Sequence, residues 1–428
     1  MTNLAALADA HFDRLETRSA DERAAALRLA LPEQIANAQA NAPALAARLG
    51  DVDPRSVTSA AALAALPVLR KADLLAAQNA AGAGDVFGGF ATVGWGAQRA
   101  ASRRAARVFV SPGPIREPDT ARVDYWRMAR ALFAAGFRAG DLVHNSFSYH
   151  FTPAGAMMES GAHAIGCTVF PAGTGQTELQ LQAMARLAPA AYAGTPSFLR
   201  LLLDKADETG VALPSLTKAS LSGEAVPLAL REALATRGIA AYQTYGTADL
   251  GLVAYETRAR EGLVVDEGVV VEIVHPGTGD PVGEGEIGEI VVTTLNPDYP
   301  LIRYATGDLS AVLPGACPTG RTHLRIRGWL GRADQSTKVR GMFVHPSHVA
   351  EIVRRHPEIG RARLIVEGAM ADDRMTLRAE TGASLDGLSE LIAQTIREVT
   401  RLRGEVALVA PGTLPNDGKV IEDLRAPN

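Results

Sequence analysis

Two cysteines, Cys167 and Cys317, are all that the 428 residues contain, so no disulfide framework can staple the chain. Its stability has to come from buried apolar surface, and the length is ample for large cores and two to three domains. An excess of one charge is missing as well: 43 Lys and Arg stand against 47 Asp and Glu, a formal charge of −4. Composition therefore offers no basic surface for nucleic acid and no polybasic patch for an anionic membrane. No uninterrupted apolar run approaches the ~18 residues of a membrane span. The opening MTNLAALADAHFDRLE carries acidic residues and no basic-then-apolar leader. Cys317, His323, His345 and His348 are scattered and lack the paired spacing of structural zinc sites. Internal repeats and low-complexity linkers are absent too. What these absences leave is a protein of small-molecule chemistry, expected in the cytoplasm.

The first hundred residues are rich in Ala and Leu and read as helices, which would cap a larger sheet. Apolar positions recur at three- and four-residue spacing from Ala20 to Asn41, where Pro32 is expected to kink or divide the helix. A short apolar run at 106–110 enters the turn Ser111-Pro-Gly-Pro-Ile-Arg-Glu-Pro118, after which Asp119 and Thr120 are expected to cap a helix. Alternating units follow: strands at 141–145, 167–171 and 190–193, with helices at 153–165, 178–187 and from Thr195-Pro196 onward. This is the pattern of a doubly wound or related α/β core. The loop 145–152 holds three aromatic rings and His150, and aromatic walls with one polar group suit an organic pocket as well as an ordinary core. Tyr149 and His150 are its candidate pocket residues.

Two segments, Leu221-Ser-Gly-Glu-Ala and Tyr242-Gln-Thr-Tyr-Gly, look like strands breaking into turns at Gly, and ligands of open α/β sheets bind beyond the carboxyl ends of strands. Residues 262–294 are β-rich. Beyond them Asp308 follows Thr306 and Gly307, Arg332 and Asp334 lie in Gly-Arg-Ala-Asp, and Lys338 and Arg340 flank a turn at Gly341. A carboxylate on a tight turn can accept two vicinal hydroxyls, and an Arg beside it can fork onto phosphate or ribose oxygens. That combination suits a nucleotide. Residues 335–428 read as a separate α+β module ending in a loop with Asp417-Gly418-Lys419.

These pieces together resemble the AMP-forming acyl- and aryl-coenzyme A ligases, most closely the phenylacetate-coenzyme A ligase branch. The resemblance is carried by Gly-Glu-Ala at 223–225, Tyr-Gly-Thr-Ala-Asp at 245–249, Pro-Leu-Ile-Arg-Tyr-Ala-Thr-Gly-Asp at 300–308, Gly-Arg-Ala-Asp at 331–334 and Asp-Gly-Lys at 417–419. It extends to Leu15-Glu-Thr-Arg18, Leu66-Pro-Val68 and Gly194-Thr-Pro-Ser197, and so covers nearly the whole chain. It implies a large adenylate-forming domain, 1–334, made of α/β subdomains and a small β subdomain. A small mobile α+β domain, 335–428, would follow.

It further implies ATP and AMP, Mg²⁺, coenzyme A and a carboxylic acid as ligands, with a homodimer as an assembly it allows. Gly223, Glu224, Ala225 and Tyr245 would contact adenine. Gly246 and Thr247 would lie along the nucleotide, Asp249 would hold magnesium, Asp308 the ribose, and Arg332 ribose or phosphate. Lys419 would bind the carboxylate and α-phosphate, Asp334 would be the hinge, and Lys338, Arg340 and Gly341 would line the thioester-forming loop. The chain departs from the family at 111–118, where a Ser/Thr/Gly-rich loop ending in Lys is usual. Pro112, Pro114 and Pro118 lack the N–H groups of a phosphate cradle, which leaves Ser111, Gly113 and Arg116. Ala248 lacks a hydroxyl, for which Thr247 is the neighbouring substitute, and Asp249 is one methylene shorter than the usual Glu. A sensor that binds nucleotide or acyl-adenylate without turnover, and an enzyme loading a carrier protein, are the competing readings. Retention of Lys419, Asp308 and Arg332 favours catalysis, and the absence of a carrier domain favours free coenzyme A.

Overall fold

Ser19 starts the first long helix by a reciprocal cap, its hydroxyl accepting the Glu22 N–H while the Glu22 carboxylate accepts the Ser19 N–H. The structure, a computed structural model, describes residues 11–95, 103–276, 278–330, 332–333, 337–340, 342–344, 346–369, 372–382, 387–415 and 419–425. Helix α1 (Ala20–Asn41) runs through Pro32 undivided. Leu31, Ile35 and Ala38 on either side of the proline are fully buried. Burying a Leu or Ile is worth about 1.5–3 kcal/mol, enough together to offset the ~3 kcal/mol a helical proline costs.

Strand β1 (Leu69–Arg70) leads into α2 (Lys71–Ala81), and β2 (Arg107–Ser111) pairs with β3 (Ile115–Asp119) as a hairpin whose turn is residues 112–114. No helix starts at Asp119. That residue ends β3, with its carboxylate taken by Arg107, and Asp124 instead accepts the Ala129 N–H near the start of α3 (Met128–Ala134). Then come β4 (Leu142–Asn145), α4 (Ala154–Ile165), β5 (Thr168–Pro171), α5 (Thr177–Leu187), β6 (Ala191–Gly194), α6 (Pro196–Thr209), β7 (Lys218–Leu221), α7 (Leu228–Thr236) and β8 (Ala240–Thr247), close to the sequence expectation. The parallel strands lie in the order β5-β4-β6-β7-β8. Strand β6 is buried along its whole length, as expected of a strand in the interior of a parallel sheet.

At β8 the sheet changes direction. Antiparallel β9 (Gly251–Glu256) and β10 (Leu263–Val265) follow. The chain then leaves for a second sheet built of β11 (Val269–Val274), β12 (Gly288–Thr294) and β13 (Tyr304–Ser310), with β1 parallel to β13. It returns as β14 (Val312–Leu313) and β15 (Arg325–Ile326) to complete nine strands in the first sheet. Leu31, Ile35, Leu69, Ile290 and Tyr304 share one core that joins the amino-terminal helices to the second sheet. The segment before α1 is pinned by a buried ion network. Glu16 takes Arg321 at 2.9 Å and Arg130 at 3.3 Å and accepts the Tyr255 hydroxyl at 3.0 Å.

Two compact units are present, Met1–Leu330 and Gly331–Asn428. The second has its own core, with Val349, Leu364, Leu377 and Ile392 among its members. It comprises the hairpin of β16 (Thr337–Val339) and β17 (Met342–Val344), α8 (Pro346–Arg355), β18 (Ala362–Ala369), β19 (Asp372–Glu380), α9 (Leu388–Thr400), β20 (Glu405–Val409) and β21 (Ile421–Asp423). Its sheet has the order β20-β19-β18-β21. Among the described residues no helix is long and apolar enough to cross a membrane.

Candidate functional site

The carboxyl ends of β6, β7 and β8 are neighbours, which collects their following turns at one edge of the parallel sheet. Thr195 caps α6 by accepting the Phe198 N–H at 3.3 Å, with Pro196 in the first helical position. Glu224 fastens the next turn to that cap: its carboxylate accepts the Ser197 hydroxyl at 2.9 Å and the Ser197 N–H at 3.2 Å. Gly223 has φ +82°, and the Ser222 hydroxyl donates to Thr244 O at 2.7 Å. The 223–225 turn and the end of β8 are therefore locked together. At Gly246 a Cβ would stand 2.6 Å from Gly251 O, so only glycine fits between β8 and β9. The Thr247 hydroxyl accepts the Leu250 N–H at 3.2 Å and closes the turn that carries Ala248 and Asp249.

Asp308 reaches the same place from β13. It does not sit on a free turn, as the sequence had suggested, but on a bulge inside the strand. Val291 pairs with Ala305 and Glu289 with Leu309, so Thr306, Gly307 and Asp308 oppose Ile290 alone. Gly307 takes φ +76°, the Thr306 hydroxyl donates to Ile290 O at 3.0 Å, and the Asp308 N–H donates to Thr306 Oγ1 at 3.1 Å. The carboxylate is held on both oxygens. Tyr245 donates its hydroxyl to Oδ2 at 2.8 Å and Trp329 its indole N–H to Oδ1 at 3.0 Å.

A second carboxylate, Asp249, is nearly sealed, its side chain 3% exposed. Lys71 Nζ lies 3.9 Å from its Oδ2, while Oδ1 is buried without a hydrogen-bond partner. Glu117 of β3 faces the same cluster, and burial followed by the Asp249 charge pushes its carboxyl well above the usual range. The phenols of Tyr299 and Tyr304 are also pushed up, by burial and then by Asp249. Lys71 opens α2 and passes beneath the hairpin turn, its Cε 3.6 Å from where a Gly113 Cβ would be. An orphaned carboxylate oxygen beside a second carboxylate is a fitting donor set for Mg²⁺, which takes one or two carboxylates and completes its shell with phosphate and water.

Other expected residues are engaged differently. The Arg116 guanidinium donates to Val86 O at 3.0 Å and Asn79 Oδ1 at 3.0 Å, and its backbone is clamped by Gln78, so it serves as a brace for the hairpin rather than a cation presented to phosphate. Ser111 is buried with its hydroxyl given to Glu117. Tyr149 accepts the Asn145 amide at 2.7 Å, and its phenol is pushed up by burial and then by Glu159; His150 is exposed. In the second unit, Arg332 is half-buried, Lys338 lies in β16, and Lys419 is exposed just before β21. Arg340 gives its backbone N–H to the Asp373 carboxylate at 2.9 Å and its guanidinium to Asp373 O at 2.7 Å and 3.1 Å. Asp334 and Gly341 lie outside the described residues. Sequence reading missed Lys71, Glu117 and Trp329, because nothing in their spacing links them to Asp249 or Asp308. A lysine opening a helix directly after Leu-Pro-Val-Leu-Arg was the one available signal.

Residues 122–296 match the family model described as AMP-binding enzyme. The phenylacetate-coenzyme A ligase of Thermus thermophilus is 29% identical over 362 residues, covering 75% of this chain and 81% of that protein. The phenylacetate-coenzyme A ligase of Aromatoleum evansii is 31% identical over 295 residues, 65% of this chain and 66% of its own length. A crystal structure of 2-hydroxyisobutyryl-CoA ligase with 2-HIB-AMP and CoA superposes with TM-score 0.80 at 24% identity, over 96% of this chain and 92% of that one, a likeness of fold. Fold and match define an AMP-binding enzyme. Within that class the chain belongs to the AMP-forming coenzyme A ligases, in their phenylacetate-CoA ligase-like branch.

Proposed function

We propose that the chain activates an aryl or small organic acid. The acid's carboxylate attacks the ATP α-phosphorus, expelling diphosphate and forming an acyl-adenylate; the coenzyme A thiol then attacks the acyl carbon, giving the thioester and releasing AMP. The observation that carries this reading is Asp308, a carboxylate fixed from both sides next to the carboxyl end of β8. It accepts the vicinal ribose hydroxyls, with the Tyr245 ring and the 223–225 turn at adenine. Gly246 and Thr247 lie along the phosphates, and Lys71 supplies there the cation that the Pro-rich hairpin lacks. Asp249, with Glu117 beside it, would hold Mg²⁺, which neutralises phosphate charge when bound. Tyr149, steadied by Asn145, walls the acid pocket.

Charge crowding between carboxylate and α-phosphate is the main barrier, so fixed cations and positioning perform most of the catalysis. Lys419 is assigned that role, Arg332 a ribose or phosphate contact, Asp334 the hinge, and the 338–341 loop the thiol passage. Cytoplasmic ATP and coenzyme A are the co-substrates. Lys71 and Thr247 weaken the case for a non-catalytic sensor, which had leaned on the prolines and Ala248. The test is a panel of carboxylic acids assayed for acid-dependent pyrophosphate exchange without coenzyme A, and for AMP and thioester with it. ATP binding without exchange for any acid would leave the sensor standing; acyl-adenylate formation without transfer to coenzyme A would favour the carrier-protein acceptor.

A further inference from the structure

Trp329 ends a stretch that runs alongside β13 and β14: Arg327 N–H donates to Ala311 O at 2.9 Å and Leu330 N–H to Leu309 O at 2.9 Å. Those two bonds set the register that brings the indole over Asp308, where its N–H donates to Oδ1 at 3.0 Å. The ring remains 38% exposed, so it can swing outward without disturbing a core, whereas Tyr245, holding the other oxygen, belongs to β8 and packs against the core of the first unit. A ribose diol approaching Asp308 needs carboxylate oxygen as its acceptor, and the indole N–H is a donor with the same requirement. A carboxylate oxygen can accept more than one donor, but each added donor draws on the same charge, so the indole and the diol weaken one another at Oδ1.

We infer that Trp329 is a positioning residue for the nucleotide: its indole N–H donates to Asp308 Oδ1, and a ribose hydroxyl displaces it from that oxygen when nucleotide binds. The inference rests on the reading of Asp308 as the ribose acceptor. Each binding event then exchanges one hydrogen bond to a charged acceptor for another, so the net gain from the diol is smaller than with the carboxylate free, and the displaced ring reports occupancy.

The experiment compares the full chain with Trp329→Phe, which keeps the ring and removes the N–H, by calorimetric titration with AMP and with 2′,3′-dideoxy-AMP. AMP should bind roughly three- to tenfold more tightly to the variant, the scale set by part of one charged hydrogen bond. Dideoxy-AMP, which has no hydroxyls to compete, should show no such gain. Tryptophan emission of the unaltered chain should shift on saturation with AMP, and that shift should be lost in the variant. Equal or weaker AMP binding in Trp329→Phe, an equal gain for both nucleotides, or an emission change that persists in the variant would overturn the inference. Asp308→Asn separates the two layers: if it binds AMP as well as the unaltered chain, the ribose reading itself fails. If it loses AMP while Trp329→Phe gains nothing, only the role of Trp329 fails.

Discussion

Lys71 is a single side chain on which the phosphate reading can be tested. Its ammonium stands 3.9 Å from Asp249 under a hairpin whose prolines offer few backbone donors. Lys71→Met keeps the apolar stem and removes the charge. ATP affinity should fall roughly ten- to a hundredfold, the scale of one charge-assisted contact, while AMP affinity should change little. Parallel losses for both nucleotides in a binding assay would place Lys71 in structural support instead. Asp124 gives a residue-scale prediction for stability. Burial, first, pushes its carboxyl up to about 7 against an unfolded value of 3.8, so the folded state favours the proton. The stabilisation is fully present below pH ~4 and is lost as pH rises through about 7. Asp124→Asn should match the native chain in urea unfolding near pH 3 and exceed it at pH 8, by about 4 kcal/mol at most.

At the scale of elements, the hairpin β2–β3 depends on one side chain of α2. Gln78 is 1% exposed, gives its amide N–H to Arg116 O at 2.8 Å, and accepts the Arg116 N–H at 2.9 Å. Gln78→Ala strands both backbone groups and should cost about 2 to 4 kcal/mol in chemical denaturation, at ~1–3 per buried unpaired group. Cleavage by a broad protease should move into 107–119. This hairpin was hard to see in the sequence, because Ile115-Arg-Glu-Pro-Asp119 mixes charge with proline and its clamp comes from a helix far upstream. The alternating units at 142–209 were legible because strand and helix differ there in period and in their Gly and Pro punctuation. The Thr306-Gly307-Asp308 motif was legible as a site and misread as a turn, since a bulge is defined by the partner strand, which local composition does not reveal.

For the whole molecule, the two units invite the prediction that the two half-reactions respond unequally to one substitution. Lys419 lies in the second unit and Asp308 in the first. Lys419→Ala should slow carboxylate-dependent pyrophosphate exchange on the order of 10²- to 10³-fold, the usual cost of one preorganised charge-stabilising group. Thioester synthesis from chemically made acyl-adenylate should stay near the native rate. Equal loss in both assays would remove Lys419 from its assigned role. Long-range organisation was the least legible level. Glu16 was quoted only as part of a motif, and its burial against Arg130, Tyr255 and Arg321 requires three segments that no local pattern joins.

The reversal of the first sheet at β8 has a consequence for solvent exchange. Strand β8 pairs with β7 through Ala240–Gln243 and with β9 through Thr244–Thr247, so its two halves tie the parallel and antiparallel parts of the first sheet together, and its Thr244–Tyr245 amides lie in the antiparallel ladder beside the proposed nucleotide site. Among the described residues the β2–β3 hairpin pairs with no other strand. In deuterated buffer the amides of β8 should exchange late, through global opening of the first unit, and the hairpin amides, on the side proposed for the phosphates, should exchange earlier through a local one. The adenosine side of the site would then be a permanent floor and the phosphate side a hinged wall, so ATP would have to do the work of ordering only one of them.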